Sequence, residues 1–128
     1  MLTDKKLKAF IPTIQPEIAK AFYKNVLGLK LLSEERYFID FDVHDSVLRI
    51  VSVEKFTPQT FTIVGWVVED ISTTIRALNE KGVFCLKYDY FEQDEFGVWV
   101  SPGGFKVAWF KDPDGNVLSI NEEFSSAT

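Results

Sequence analysis

The chain punctuates itself twice in the same rhythm, and that duplication limits the fold more than any other feature. Gln15-Pro16-Glu17 opens one helix and Gly28 closes it; Asp70 opens a second and Gly82 closes it. Proline is tolerated at a first helical position, where its missing N–H has no intrahelical partner. An acidic residue there complements the helix dipole. An aspartate before the helix caps its free amides, and glycine ends a helix by accepting φ > 0. The two openings and the two closings are offset by the same distance to within one residue. Each helix follows one strand-like run and precedes about three more, which reads as a duplicated βαβββ unit. The expectation is one domain over residues 1–128, with a first module at about 7–54 and a second at about 61–121.

The runs between the helices carry the alternation of strands. Leu7–Ile14 is extended, with Pro12 calling for a bulge or an unpaired edge position. In the first helix Ile18, Phe22 and Val26, with Ala19 and Tyr23, form the predicted apolar stripe. In the strand that follows, Phe38 and Asp40 fall on one side, and Tyr37, Ile39 and Phe41 on the other. A turn at His44-Asp45-Ser46 leads into a strand with Val47, Arg49 and Val51 on one face. In the second half Phe61–Val68 is nearly continuous in apolar residues and predicts a strand buried on both faces. Ile71, Ile75 and Leu78 form the buried stripe of the second helix, VFCLKYDY reads as a strand, and Glu92-Gln93-Asp94-Glu95 is an acidic loop. The last feature is Phe110–Ile120, FKDPDGNVLSI, a strand, a tight turn and a strand. Proline fixes one corner of that turn, glycine supplies positive φ, and Asp and Asn bond their own backbone. The tail after Asn121 is polar and is expected to be loose.

Composition removes several function classes. The net charge is −5 with no basic run, which argues against nucleic-acid binding. No apolar run is long enough to span a bilayer, and the MLTDKKLKAF start has no signal-like apolar region, so no membrane association and a cytoplasmic setting are expected. The single cysteine, Cys85, excludes an internal disulfide and reads as a buried thiol. Twelve phenylalanines supply an unusually aromatic core for this length.

Three stretches carry a family likeness. FKDPDGN followed by a strand resembles the C-terminal signature of the vicinal oxygen chelate superfamily, which includes glyoxalase I, bleomycin-resistance proteins and extradiol dioxygenases. AFYKNVLGLKLL resembles its helix-to-strand signature in the first module, and VEDI with a helix ending EKGV resembles the matching part of the second. Together they cover roughly residues 7–121. The resemblance implies an α+β fold in which two βαβββ modules form a curved, mostly antiparallel sheet, with helices on the outer face and a concave cleft.

The resemblance also implies where metal ligands would stand in metal-using relatives. Carried over, those positions fall near Lys8, on Ile63, on Arg49 or a neighbour, and on Ser119. None offers the imidazole or carboxylate that a divalent ion needs. The one histidine, His44, sits in a turn and reads as solvated. No metal and no cofactor are therefore expected, and the metal-dependent activities of the family are not carried over.

What remains is a cleft. Trp109 and Ser119 flank the DPDGN turn at matching distances and face the same way, and Trp99 in the preceding strand joins them. Each tryptophan has a competing role as core, the more so Trp66. Arg49 either supplies a counter-charge for an anionic ligand or pairs with an acidic neighbour. The acidic loop 92–95 is a solvated loop, a weak cation site or a lid. The resulting expectation is a homodimer that binds a small organic molecule in an aromatic cleft without metal, in the manner of the bleomycin-resistance branch. Two alternatives stay open. One is an enzyme of the same superfamily, a lyase, isomerase or dioxygenase using unusual ligands or cavity carboxylates such as Glu54 or Asp40. The other is a regulatory or structural protein whose cleft is filled. No catalytic residue is identifiable.

Overall fold

The computed structural model describes residues 1–123. It forms an α+β fold of two four-stranded mixed sheets, each with its own helix, and the two βαβββ modules are both present. Two compact units result, one of Met1–Pro58 with Asp112–Gly115, the other of Gln59–Lys111 with the chain from Asn116.

In the first unit β1 (Lys8–Thr13) leads to α1 (Pro16–Ala21), a π-helical turn (Phe22–Val26), β2 (Lys30–Glu35), β3 (Phe38–Val43) and β4 (Ser46–Ser52). The strand order is β1-β4-β3-β2, with β1 parallel to β4 and the other pairs antiparallel. Pro12 is accommodated because β1 is an edge strand; its register against β4 runs without a bulge. Ile11, Ile39, Phe41, Leu48 and Ile50 share the buried face, where the Tyr23 and Phe41 ring centroids lie 6.2 Å apart. Lys8, Phe10, Asp40, Arg49 and Val51 share the other.

The helical stripe differs from the periodic expectation. Ile18 is 53% exposed, while Ala19, Phe22 and Tyr23 are buried. The cause is the change of helical pitch: Leu27 N donates to Phe22 O, five residues back, so the 3.6-residue repeat does not run through the segment. Pro16 does stand in the first turn, and Gly28 ends the helical segment at φ +72°. His44 and Asp45 form the β3–β4 turn, both with positive φ.

In the second unit β5 (Thr62–Val67) leads to α2 (Ile71–Glu80), β6 (Trp99–Val100), β7 (Lys106–Lys111) and β8 (Val117–Glu122) in the order β5-β8-β7-β6. Asp70 caps α2 as its sequence demands, accepting from the amides of Ser72 and Thr73; Ile71, Ile75 and Leu78 are buried. With Ala108, Phe110, Leu118 and Ile120 they form the core of this unit.

Two strand expectations are corrected here. Phe61–Val68 is not buried on both faces: β5 is the edge of its sheet, Phe61 and Val67 are mostly exposed, and Gly65 is open to solvent. The VFCLKYDY segment forms no strand. Leu86 N donates to Trp109 O of the neighbouring β7. The Gln93 side chain takes two further backbone groups of the segment: its Nε2 donates to Leu86 O, as well as to Gly97 O, and its Oε1 accepts from Tyr88 N. For the expected loose tail, β8 continues to Glu122, and residues 124–128 lie outside the described residues.

The DPDGN turn belongs to the first unit although its flanking strands belong to the second. Asp112 is buried; its Oδ1 accepts from Asp114 N and its Oδ2 accepts from Tyr23 Oη at 2.6 Å. Asp114 in turn accepts from Thr13 Oγ1 and Ile14 N. Gly115 takes φ +90° with Pro58 beside it, so a side chain there meets both backbone strain and a neighbour. The signature is therefore an anchor as well as a turn.

Candidate functional site

The second module concentrates the aromatic chemistry. Trp109 on β7 stands directly across from Ser119 on β8, and Ser119 stands across from Gly65 on β5, so the three form one row on one face. The shared facing of Trp109 and Ser119 follows from that register. Trp99 on β6 pairs with Val107, one row along on the same face. The loop between α2 and β6 adds Tyr88 and Phe91. Phe91 lies flat on the Trp109 indole, with ring centroids 5.1 Å apart and planes 3° apart. It also contacts Trp99 at 4.8 Å, and Tyr88 meets Trp109 edge-on at 5.5 Å. Such offset and edge-on contacts let rings assemble into a stiff apolar wall. Both tryptophans, Tyr88 and Phe91 are half-buried, and Tyr90 beside them is 75% exposed.

Polar groups border this wall. Ser119 is 5% exposed and its Oγ accepts from Asn121 Nδ2 at 2.9 Å; the same amide group donates to Trp66 O at 3.2 Å. Gly65 completes the arrangement, because a Cβ there would stand 2.4 Å from Ser119 Oγ. Trp66 pairs with Ile120 and so lies on the core-facing side of β5.

An open hollow of about 420 Å³ lies beside Trp99, lined by Glu92, Gln93, Asp94, Val98, Trp99 and Val100. It joins Trp99 to the acidic loop; Trp109 and Ser119 are not among its walls. The loop itself is braced from within. Asp94 Oδ1 accepts from Phe96 N and Val98 N, its backbone oxygen accepts from Lys87 Nζ and Gly97 N, and Gln93 is fully engaged as above. Cys85 at its start is half-buried, and burial pushes its thiol up to about 11, so it stays protonated.

Arg49 occupies the equivalent strand of the first module. Its Nε and Nη2 donate to the two oxygens of Asp40, at 2.8 and 2.9 Å, and its guanidinium lies 3.7 Å from the centroid of the Phe38 ring. The Arg49 hydrogen bonds hold the Asp40 carboxyl below its ordinary range, against the opposing effect of burial. Of the two roles open to Arg49, the acidic pairing is the one formed. Asp40 is correspondingly tied as a carboxylate. Glu54 lies on the exposed stretch after β4, and His44 is exposed in its turn.

A divalent cation needs convergent imidazole, carboxylate or thiolate donors. On the first module the row equivalent to that of Trp109 is Phe10, Arg49 and Asp40, a cation already holding both oxygens of the only carboxylate. On the second module the row is Gly65, Ser119 and Trp109. Neither donor set fits a catalytic metal, and among the described residues no group of three or more His, Cys, Asp or Glu side chains converges.

Of the four site residues expected from sequence, Trp109, Trp99 and Ser119 share one face of the second module; Arg49 belongs to the first. Sequence reasoning missed Tyr88, Phe91, Gly65 and Asn121. Asn121 was within reach, two residues from Ser119 on one strand. Phe91 was not, because it sits in a loop whose path depends on Gln93.

Comparisons with known proteins agree with this architecture. A family model described as the Glyoxalase/Bleomycin resistance protein/Dioxygenase superfamily matches residues 8–120. The uncharacterized protein YraH of Bacillus subtilis (strain 168) is 28% identical over 114 residues, covering 77% of this chain and 83% of YraH. Among solved structures, a putative glyoxalase family protein from Bacillus anthracis superposes with a TM-score of 0.75 at 16% identity, over 94% of this chain and 96% of that one. A lactoylglutathione lyase from Agrobacterium tumefaciens gives 0.70 at 13% identity, over 95% and 96%. At these identities the structural likenesses establish the fold.

Proposed function

The chain belongs to the glyoxalase/bleomycin resistance protein/dioxygenase superfamily, and from that premise we propose that it binds a small planar organic molecule against the aromatic wall of its second module, without a metal ion. The observation that carries the proposal is the Trp109–Ser119 row: a half-buried indole, stiffened by Phe91 and Tyr88, next to a buried hydroxyl. Binding sites for small ligands pair apolar, aromatic walls with a few placed polar groups. Metal independence is supported by the donor chemistry of both rows. Arg49 is spent on Asp40, which argues against general acid–base work by that carboxylate. A cytoplasmic homodimer is the proposed working form, on the family resemblance; no helix of the described residues is long and apolar enough to cross a membrane.

A second reading rests on Phe91. Its flat stack on Trp109 is also what a filled, purely structural cluster looks like. Saturation-transfer NMR with a set of bicyclic aromatic probes separates the two. Binding is expected for the wild-type protein and is expected to be lost in Trp109→Leu, with the fold of the variant verified by its melting curve. Absence of binding by every probe, or binding indifferent to Trp109→Leu, contradicts the proposal, and the first result supports a filled cluster.

A further inference from the structure

Phe91 holds the place on Trp109 that a planar ligand needs. Its ring lies parallel to the indole, with planes 3° apart and centroids 5.1 Å apart. Offset parallel stacking is also how a flat ligand ring rests on an indole. The same phenyl ring approaches Trp99 at 4.8 Å, so it touches both tryptophans. The surface that the second module offers to a flat molecule is thus taken by a flat ring of the chain itself. The open hollow agrees: it reaches Glu92, Gln93 and Trp99 and stops short of Trp109, which Phe91 covers.

The loop holds this ring lightly. Two side chains brace the segment. Gln93 Oε1 accepts from Tyr88 N, and Asp94 Oδ1 accepts from Phe96 N and Val98 N. Between Tyr88 and Gln93 lies the tip, Asp89, Tyr90, Phe91 and Glu92, of which all but Phe91 are exposed. Among the described residues the tip has one hydrogen bond of its own, from Phe91 N to Tyr88 O at 3.3 Å. Hydrogen bonds therefore fix the ends of the tip, while ring contacts hold its middle. A segment with few backbone hydrogen bonds and little buried surface opens locally, without unfolding what anchors it.

We propose that Phe91 is an internal competitor for the aromatic wall: in the free protein its ring occupies Trp109, and a planar aromatic ligand binds by displacing it. This deepens the proposed function and rests on it. The Gln93 and Asp94 braces stay in place while the tip opens. Affinity is then set by the balance between the Phe91 stack and the ligand stack, and an occluded wall weakens apparent binding by the fraction of molecules in which it is open. A ring that displaces phenyl must offer more flat surface than phenyl, so fused bicyclic compounds are the class admitted.

The test uses 2-acetylnaphthalene as the probe. The wild type is prepared with isotope-labelled phenylalanine, and the Phe91 ring signals are identified as those missing from the Phe91→Leu spectrum. The indole ring current shifts these signals upfield in the free protein, and saturation with the probe is expected to remove that shift. Affinities for the wild type, Phe91→Ala and Phe91→Leu are measured by ligand-detected NMR, with melting curves to verify folding. Neither alanine nor leucine stacks as a flat ring, so both variants are expected to bind about tenfold more tightly than the wild type, the size of one aromatic stack removed from competition. Wild-type binding that leaves the Phe91 shift in place, or variants that bind no more tightly than the wild type, overturns the competitor while leaving binding at the aromatic wall standing. Binding by the variants alone also overturns it, since the ring then never leaves Trp109. Absence of binding by all three proteins overturns the competitor together with the proposed function.

Discussion

Asp40 and Arg49 show how a single pairing decides what a residue is free to do. The bidentate geometry uses both carboxylate oxygens and two guanidinium nitrogens, and the Phe38 ring covers the flat face of the cation. The sequence offered Arg49 two roles, and the register that places it opposite Asp40 forms the acidic pairing. The pair carries a pH signature. A carboxyl held below its ordinary value of 3.8 stabilises the fold at pH above that value, and the contribution disappears as pH falls through the lowered one. Asp40→Asn removes it. In urea denaturation from pH 7 to pH 2, the wild type is expected to be the more stable at neutral pH, with the difference closing below about pH 4. A difference that is constant across the range contradicts the assignment.

Among the elements, a hydrogen bond from Tyr23 Oη to Asp112 Oδ2 joins the π-helical turn to the DPDGN turn. Burial first, and the adjacent Asp112 second, raise the Tyr23 phenol well above its ordinary value, so it remains a donor at every ordinary pH. Tyr23→Phe keeps the ring packing against Phe41 and removes only the donor to a buried carboxylate. Its expected cost is about 1–3 kcal/mol in urea denaturation; a change under a few tenths would show that the anchor is idle. The elements also mark where sequence reading succeeds. Caps and glycine stops are local chemistry, so α2 and its buried Ile71, Ile75 and Leu78 were legible from Asp70 to Gly82. VFCLKYDY has strand propensity but forms no strand; Gln93 takes its Leu86 oxygen and its Tyr88 amide, side-chain contacts that no periodicity encodes. The pitch change after Ala21 moved Ile18 out of the core for the same kind of reason.

For the molecule as a whole, the duplicated spacing and three short motifs sufficed to give the architecture, since each module needs the same strand, helix and strands to bury one face. The candidate site was legible in part. Their matching distances from the DPDGN turn placed Trp109 and Ser119 together, yet the wall also needs Phe91 and Tyr88 from an irregular loop, and the close approach of Ser119 to β5 needs Gly65, three strands away in sequence. The proposal joins these scales: on the superfamily scaffold, the positions carried over from metal-using relatives, near Lys8 and at Ile63, Arg49 and Ser119, offer no imidazole or carboxylate, and the function proposed for the chain is metal-independent binding of a planar organic molecule. The most direct test is the melting temperature of the purified protein with 2-acetylnaphthalene, taken in excess chelator and again with added zinc, nickel, manganese or ferrous ion. A ligand that binds only the folded state raises the melting temperature by mass action. The probe is expected to raise it equally in chelator and in metal, and the ions alone are expected to leave it unchanged. A rise that requires a divalent ion, or stabilisation by the ion itself, would contradict the account.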